Sequence, residues 1–261
     1  GIKDINIVVG HKANQVIEHV KNRNNEIKFC YQESQLGTGH AVMQAKDNID
    51  DDDLVLVING DQPLISSKTI KSMISFCEQG NYGGVVLSGI VDHPGSLGRV
   101  IRDGKGNLNR IVERKDCNED EERVKEVNIG VYCFNGKLLK ESFSKLDDNN
   151  AQNEYYITDI PVHIKNAGYN FGVCTIADMS EFQGINSREE LSLATCTLLN
   201  KTRKLHMSNG VTLIDPSSTY ISIDAKIGRD TIIYPGTNIQ GETVIGENCV
   251  IGPNSHIISS K

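Results

Sequence analysis

The strongest constraint on the fold is a repeat near the end of the chain, where isoleucine returns at every sixth position. A period of six matches neither an α-helix nor a simple strand. It is typical of a coil with three short flat faces, in which every sixth side chain points inward and stacks on its counterpart in the next turn. Glycine follows several inward positions, with Asn or Asp two residues later, which suits tight corners. We therefore predict a parallel β-helix built on seven isoleucines: Ile221, Ile227, Ile233, Ile239, Ile245, Ile251 and Ile257.

The preceding part of the chain has the pattern of an α/β domain. Strand-like runs at 5–9, 28–31, 54–58 and 84–90 alternate with helical patterns, which indicates βαβ units around a mostly parallel sheet. The segment 66–80 shows apolar residues at helical spacing, with serines before it and a glycine after it. A hairpin is predicted at 98–114, where Asp-Gly and a second glycine separate two apolar runs. The sheet is therefore expected to be mixed.

A long helix is predicted between these two regions. Ser187 and Glu190 have the spacing of a capping box, and Asn209-Gly210 ends the pattern. One apolar face is expected to pass through Leu191, Ala194, Leu198 and Leu205. The predicted domains are 1–186, a linker helix at 187–210, and a β-helix at 211–261. Because a solenoid needs about three repeats or a protected end, we expect this one to continue or to be closed by oligomerisation.

Charge and cysteine content exclude several classes of partner. The chain has 27 basic and 34 acidic residues, a net charge of -7, so neither a nucleic acid nor an anionic membrane is expected to bind. The seven cysteines are scattered, which suits neither a disulfide framework nor a zinc ribbon and favours a reducing cytoplasm. The longest apolar run, 54–58, is too short to span a bilayer.

Two stretches carry candidate chemistry. The loop "ESQLGTGHAV", residues 33–42, has glycines at a strand-to-helix turn, which fits a phosphate-binding loop or a tight turn without a ligand about equally well. In "LVLVINGDQPLI", residues 54–65, Asp61 follows a buried strand at the edge where open α/β sheets bind ligands, although Gly-Asp is also a common turn. A lone carboxylate is a ligand that Mg²⁺ accepts when phosphates and water complete its coordination.

Seven segments in a fixed order carry a family resemblance: "QESQLGTGHA", "NGDQPL", "GRVIRDGKGNLNRIVERKD", "VNIGVYCF", "NAQNEYYITDI", "EFQGINSREEL" and "GVTLIDPSSTYI". With the hexapeptide repeats, they resemble the bacterial GlmU family over the whole chain. That family joins an N-acetylglucosamine-1-phosphate uridyltransferase to a glucosamine-1-phosphate acetyltransferase. The resemblance implies a Rossmann-like nucleotidyltransferase domain with a mixed sheet, followed by a helix and the start of a left-handed parallel β-helix. It also implies a cytoplasmic homotrimer formed through that β-helix.

The resemblance assigns roles to particular residues. Asp61 and Asn186 match the catalytic pair that holds Mg²⁺. The positions matching the uridine nucleotide site, whose glycine loop receives the uracil base, are Gln32, Gly37, Thr38, Asn59 and Gly60. The positions matching the sugar phosphate site are Gly98, Glu113, Asn128, Glu154 and Thr158. Taken singly, Asn128 is equally compatible with a satisfied strand-end amide, and Glu113 with a solvated hairpin residue.

The implied reaction is uridylyl transfer. The phosphate of N-acetylglucosamine 1-phosphate attacks the α-phosphorus of UTP and pyrophosphate leaves, so no protein nucleophile is required. The chain departs from the family in lacking its glycine-rich Gly-Thr-Arg-Met loop and the lysine after it, which we expect upstream of Gly1, and little or no transfer is expected from this polypeptide alone. The acetyltransferase site is likewise not expected within these residues. Leu97 and Ile129, expected beside the sugar, stand where relatives usually carry tyrosine and threonine.

Two other hypotheses remain open at the level of sequence. The chain could be another sugar-1-phosphate nucleotidyltransferase, such as a thymidylyl or adenylyl transferase, and a comparison of UTP with dTTP and ATP would distinguish these. It could also be a non-catalytic oligomerisation module built on a decayed transferase domain. Retention of Asp61 together with Asn186 speaks against the module, because decay need not spare a metal-binding pair.

Overall fold

The computed structural model describes residue 2, residues 4–22 and residues 26–261. The chain divides into two compact units, one formed by Gly1–Gly60 and Ile65–Phe182, the other by Asp61–Leu64 and Gln183–Lys261. Among the described residues, no helix is both long enough and apolar enough to cross a membrane. The boundaries of the three predicted domains stay predictions.

The first unit is an α/β fold whose main sheet is mixed, as predicted. Six strands form this sheet in the order β6-β5-β7-β4-β8, with β3 also paired to β7, while β1 and β2 form a separate parallel pair. The helices are α1 (Ala13–Lys21), α2 (Thr38–Met43), α3 (Ser67–Gln79), α4 (Glu119–Glu122), α5 (Gly136–Phe143) and α6 (Ile160–Asn166). The strands are β1 (Asn6–Val9), β2 (Lys28–Tyr31), β3 (Leu54–Val57), β4 (Gly84–Ile90), β5 (Arg99–Arg102), β6 (Leu108–Val112), β7 (Glu126–Asn135) and β8 (Phe171–Thr175).

The expectation of a mostly parallel sheet is wrong for this unit. Within the main sheet only β4 and β8 pair in parallel, whereas β3, β4 and β5 each pair antiparallel with β7. Strand β7 has ten residues and alternates between two hydrophobic clusters, with Tyr132 and Phe134 in one, and Val131 and Cys133 in the other. Strand β7 is therefore a central strand of the sheet whose C-terminal half is covered by apolar side chains on both faces.

Helix α3 forms as its sequence predicts. The side chain of Ser66 accepts a hydrogen bond from the backbone N–H of Thr69, and Gly80 follows the last turn. Met73 and Cys77 are buried against the sheet. The predicted hairpin is also confirmed, since β5 and β6 pair antiparallel.

In the second unit a long helix, α7 (Arg188–Ser208), begins at the predicted cap. Ser187 accepts a hydrogen bond from the N–H of Glu190. The predicted apolar face is partly wrong, because Leu191 and Leu205 are exposed. The buried residues are Ala194, Thr202 and His206. With the half-buried Leu198 they follow one another at intervals of four residues, so this row faces inward while Leu191 and Leu205 do not.

The β-helix is present and has the predicted register. Parallel pairing aligns Ile221 with Ile239 and Ile239 with Ile257, so that each coil takes eighteen residues. Three sheets form its faces. The strands are β9 (Thr212–Leu213), β10 (Tyr220–Ile221), β11 (Lys226–Ile227), β12 (Ile232–Ile233), β13 (Asn238–Gln240), β14 (Val244–Ile245), β15 (Val250–Ile251) and β16 (His256–Ile258).

The corners follow the predicted chemistry. Asp230, Asn248 and Asn254, each two residues after a glycine, adopt φ between 56° and 59°. Asn and Asp tolerate this left-handed region better than other side chains that carry a Cβ. At Gly228 a Cβ would lie 2.5 Å from the backbone of Gly246, so the coils approach too closely there for any side chain.

A second six-residue register, which the sequence analysis overlooked, lies two positions before each isoleucine. Its members are small: Thr219, Ala225, Thr231, Thr237, Thr243, Cys249 and Ser255. The four threonines are fully buried. The hydroxyls of Thr231 and Thr237 donate to the carbonyls of Gly246 and Gly252, at 2.8 and 3.0 Å. The carbonyls thus give these two buried hydroxyls the hydrogen-bond partner that a buried polar group requires.

Candidate functional site

The loop after β2 is closed by its own side chains. Gln32, which is 9% exposed, donates from Nε2 to the carbonyl of Gly37 at 3.2 Å and contacts His40 Nδ1 at 3.0 Å. Thr38 Oγ1 accepts the N–H of Ile157 at 3.1 Å. The structure thus brings Gln32, Gly37 and Thr38 together, and their proposed contact with a base stays a prediction.

Gly37 is required by packing as well as by backbone conformation. Its φ is 107°, and a Cβ would lie 2.6 Å from the carbonyl oxygen of Tyr155. Backbone hydrogen bonds join the loop to the same segment, from Gly39 to Tyr155 and from Tyr155 to Leu36. The absence of a side chain at Gly37 is therefore needed for the close packing of two chain segments, whatever ligand the loop receives.

Asn59 and Gly60 follow β3. A Cβ on Gly130 would lie 2.4 Å from Asn59 Nδ2, and Gly130 has a φ of 82°. The Asn59 side chain therefore occupies space that only a glycine in β7 leaves open. Gly60 is exposed, and a Cβ there would meet nothing within 4 Å.

Four of the five residues predicted for the sugar phosphate meet in one place, although they come from four elements. Thr158 Oγ1, which is fully buried, donates to Glu113 Oε1 at 3.2 Å. A Cβ on Gly98 would lie 3.5 Å from Glu113 Oε2 and 3.6 Å from Asn128 Cβ. The backbone N–H of Asn128 donates to the Gly98 carbonyl at 2.9 Å. Glu154, the fifth, packs its Cβ against Gly37 and contributes a negative charge near Glu113.

Asn128 is partly satisfied within the protein. Its Nδ2 donates to the Tyr132 hydroxyl at 2.7 Å, and its Oδ1 accepts the N–H of Gly130 at 2.9 Å. A primary amide still has a second N–H and a second oxygen lone pair for a ligand. The structural and the binding interpretations of Asn128 are therefore compatible.

The electrostatics of this cluster are acidic. Burial raises the pKa of Glu113, the hydrogen bond from Thr158 opposes this, and the negative charges of Asp116, Asp159 and Glu154 raise the pKa further. The partial burial of Glu113 disagrees with the solvated interpretation. Burial, together with Asp147 and Asp116, raises the pKa of Asp159 from 3.8 to about 6. Carboxylates held in this way gain from donors such as sugar hydroxyls.

We expect Asp159→Asn to stabilise the protein in a pH-dependent way. Between pH 3.8 and about 6 the native state holds the Asp159 proton more tightly than the unfolded chain does. The free energy of unfolding that the wild type loses by carrying a buried Asp159 charge is therefore lost in full above pH 6 and not at all below pH 4. Urea unfolding of the variant and the wild type between pH 4 and pH 7 should show a stability difference that grows with pH. The exposed Asp148→Asn is the control, and a difference independent of pH would contradict the expectation.

Asp61 and Asn186 meet in the second unit. The N–H of Ile185 donates to the Asp61 carbonyl at 2.9 Å, which brings the two segments together. A Cβ on Gly184 would lie 3.5 Å from Asp61 Oδ2 and 3.8 Å from Asn186 Nδ2. Both side chains are exposed and converge on the open space above that glycine.

These residues fit a hard divalent cation. A carboxylate and an amide oxygen are the donor types that Mg²⁺ takes, and Mg²⁺ usually keeps several water or phosphate ligands. In the described part of the chain, no group of three or more His, Cys, Asp or Glu residues could form a complete metal cage. The arrangement suits an ion that arrives with a phosphate ligand.

Sequence reasoning missed several residues that shape these sites. Arg99 is buried and donates from its guanidinium to the carbonyls of Leu97 and Gly95, which fixes the turn before Gly98. The Arg-Val pattern of β5 gave no sign of this, although a buried arginine requires such partners. Tyr132 and Asp159 were also missed; the charge nearest in effect to Asp159, Asp147, is twelve residues away in the sequence, and Asp116 is 43 residues away. Ile129, expected beside the sugar, packs in the core instead.

Comparisons with known proteins place the chain among transferases. Residues 1–178 match the family model for nucleotidyl transferases, and residues 224–259 match that for bacterial transferase hexapeptide repeats. The "Bifunctional protein GlmU" of Clostridium kluyveri is 47% identical over 260 residues, with 99% of this chain and 56% of the relative covered. The proteins of the same name from Clostridium tetani and Clostridioides difficile are 44% and 45% identical, over 99% and 100% of this chain and 56% of each relative. The chain thus spans about half the length of the curated relatives it matches.

Solved structures resemble the fold. A Bacillus anthracis protein, assigned as a glucose-1-phosphate thymidylyltransferase, aligns with a TM-score of 0.59 and 21% identity over 75% of this chain and 76% of its own. HddC from Yersinia pseudotuberculosis aligns with a TM-score of 0.54 and 19% identity, covering 74% and 78% of the two chains. At these identities the likeness concerns the fold.

Proposed function

Since this chain belongs to the nucleotidyl transferase family, we propose that it takes part in uridylyl transfer from UTP to N-acetylglucosamine 1-phosphate. A phosphate oxygen of the sugar phosphate forms a bond to the α-phosphorus of UTP, and the bond from that phosphorus to the bridging oxygen of pyrophosphate breaks. The products are UDP-N-acetylglucosamine and pyrophosphate, the former a precursor of cell-wall polymers. The acetylation of glucosamine 1-phosphate is proposed only for longer relatives, not for these residues.

The meeting of Gly98, Glu113, Asn128 and Thr158 is the observation that carries this proposal. The four residues are far apart in the sequence and were selected together from the resemblance, yet the chain folds them into one cluster. Random surface positions would not be expected to converge in this way.

We propose that the cluster binds the sugar ring rather than the phosphate. Burial raises the pKa of Glu113, and the neighbouring carboxylates that raise this pKa further would repel a phosphate. A hydroxyl or acetamido N–H of the sugar could donate to Glu113 and offset its burial. Thr158 fixes the Glu113 carboxylate for this contact, and Gly98 leaves room beside it.

For the nucleotide, we propose that the loop of Gln32, Gly37 and Thr38 receives the uracil, with Asn59 and Gly60 nearby. The contacts from Gln32 to Gly37 and from Thr38 to Ile157 hold the loop in place before a ligand arrives. Such preorganisation lowers the entropy that binding would otherwise cost.

Members of this family are generally metal-dependent, and we propose that the ion is Mg²⁺, held by Asp61 and Asn186. When bound, Mg²⁺ would neutralise charge that develops on the phosphates during transfer. Asp61 would supply the negative charge that retains the ion, and Asn186 would supply its neutral amide oxygen as the second protein ligand.

Thr158→Val should weaken binding of N-acetylglucosamine 1-phosphate about fivefold, because the Glu113 carboxylate would no longer be held in the binding orientation by a hydrogen bond worth about 1 kcal/mol. Isothermal titration of the sugar phosphate measures this. Thr202→Val is the control, since it removes another buried threonine hydroxyl in α7 and should leave the affinity unchanged. Equal affinities of wild type and Thr158→Val would contradict the assignment.

Pyrophosphate release with UTP, dTTP or ATP as donor tests the function. The assay is run on this chain and on an extended chain, which we define as this chain preceded by the upstream residues of the Clostridium kluyveri relative. We expect release with UTP and N-acetylglucosamine 1-phosphate in the extended chain, and little in the chain alone. Release only with dTTP or ATP would identify a different nucleotidyltransferase, and release with none would favour the non-catalytic module.

We also propose that the protein is a homotrimer in a reducing cytoplasm. Apolar side chains in the strands of the β-helix, including Val244 and Val250, are exposed in the single chain and would be covered by association. All seven cysteines are free thiols. Light scattering coupled to size exclusion would report the mass, and a monomer would contradict the trimer.

A further inference from the structure

One carboxylate beside the proposed metal ligands has an unexpected hydrogen-bond partner. Glu190 Oε2 accepts the backbone N–H of Asn186 at 2.5 Å. In the predicted capping box, Glu190 would instead accept the N–H of the N-cap residue, Ser187. Only the other half of the box is formed, by Ser187 accepting the N–H of Glu190 at 3.1 Å. The Glu190 carboxylate thus accepts from the residue before the N-cap, Asn186, which is itself the proposed metal ligand.

The bond acts on a residue that little else holds. Asn186 is exposed and lies in a loop between Ile185, which donates to the Asp61 carbonyl, and the first turn of α7. The direction of an amide side chain depends on the backbone that carries it. Holding the Asn186 N–H at a helix end therefore restrains the direction of its Cα–Cβ bond, from which the amide reaches toward Asp61.

Glu190 is well suited to hold this position. It lies in the first turn of α7, where a negative side chain is favoured by the helix dipole. Its own N–H and carbonyl are used, the first by Ser187 and the second by Gln183 Nε2 at 3.4 Å. A hydrogen bond from a backbone N–H to a charged oxygen is also stronger than one to a neutral acceptor.

We propose that Glu190 is a positioning residue for the metal site, which holds Asn186 in the orientation needed to share a divalent cation with Asp61. This inference rests on the proposed function, which assigns the cation to Asp61 and Asn186. Glu190 acts on the cation through Asn186 and not by contact. The role is that of an outer-shell partner, whose removal typically lowers metal affinity about 10- to 100-fold.

The experiment measures Mn²⁺ binding to the extended chain by electron paramagnetic resonance in the presence of UDP-N-acetylglucosamine, which supplies the phosphate oxygens that the two protein ligands leave open and needs no turnover. We expect Glu190→Ala to weaken Mn²⁺ binding at least tenfold and Glu190→Gln, which keeps the shape and an acceptor oxygen, to weaken it less than threefold. Glu189→Ala, on the same exposed turn, is the matched control and should bind as the wild type does. In an Asn186→Ala background, Glu190→Ala should cause no further loss, because no side chain is left to position. Thermal unfolding of each variant reports any effect on α7 itself.

The outcomes separate the inference from the function on which it rests. If Asp61→Asn abolishes Mn²⁺ binding but Glu190→Ala only lowers the unfolding temperature, Glu190 is a helix cap and the inference fails alone. If Glu190→Gln and Glu190→Ala weaken Mn²⁺ binding equally, Glu190 acts by attracting the cation with its charge, and the positioning role is overturned. Mn²⁺ binding that is absent from the wild type, or insensitive to Asp61→Asn, would overturn the metal site and the proposed function with it.

Discussion

Asp61→Asn should lower pyrophosphate release by the extended chain about 100- to 1,000-fold, the range found when one group that stabilises transition-state charge is removed. The substitution keeps the size of the side chain and the backbone bond from Ile185, so the loop should stay folded. What it removes is the formal charge that we propose retains a cation at Asp61 and Asn186. Both kcat and the Mg²⁺ concentration needed for half-maximal rate should change.

The control for this prediction is Asp224→Asn, which removes another exposed carboxylate from the same unit. It should leave the rate and the Mg²⁺ dependence as they are in the wild type. If raising Mg²⁺ restored the full rate of Asp61→Asn, the residue would contribute affinity only. If the rate of Asp61→Asn were normal at all Mg²⁺ concentrations, the assignment of Asp61 would be wrong.

Ile233→Ala should destabilise the β-helix by about 2–5 kcal/mol, the usual cost of truncating a fully buried isoleucine. Ile233 pairs with Leu213 on one side and with Ile251 on the other, so the cavity would open between three coils. The rigid backbone of a narrow coil has little freedom to collapse into that space. Urea unfolding, followed by circular dichroism, measures the change.

Ile223→Ala is the matched control, since Ile223 lies in the same β-helix but is 64% exposed. Its replacement should change stability by no more than about 0.5 kcal/mol. A similar loss for both variants would mean that the exposed face is buried by association. If neither Ile233→Ala nor Ile223→Ala lowered the free energy of unfolding, the stacked isoleucine core would be contradicted.

The β-helix was the part most open to prediction from sequence, for a simple physical reason. In a coil that keeps one residue type at each inward position, that residue recurs at the spacing of the faces, so the sequence period reveals the geometry. The corner glycines Gly228, Gly246 and Gly252 lie at multiples of the same six-residue spacing. The small residues two positions earlier were overlooked, because threonine, alanine, cysteine and serine look unrelated until their shared size is considered. The GlmU resemblance and the fold class are confirmed by the relatives and family models.

Features that depend on distant partners could not be predicted in the same way. The helical pattern of α7 favoured the leucines, yet Thr202 and His206 are buried, because the surface they meet belongs to another segment of the same unit. Glycine at position 37 suggested a ligand, while the close approach of Tyr155 supplies a second reason that the sequence could not show. The acidic surroundings of Glu113 likewise arise from residues up to 46 positions away, such as Asp159. The individual site residues stay predictions that the experiments above address.

The buried threonine hydroxyls have a consequence for how the β-helix comes apart. Each bond from Thr231 or Thr237 reaches a carbonyl fifteen residues further along, and hence ties one coil to the next and to no other. Stability in such a structure is a sum over neighbouring links. Unfolding should therefore proceed from an end of the β-helix, one eighteen-residue coil at a time. Hydrogen exchange of the backbone amides should then show protection that changes in steps from coil to coil.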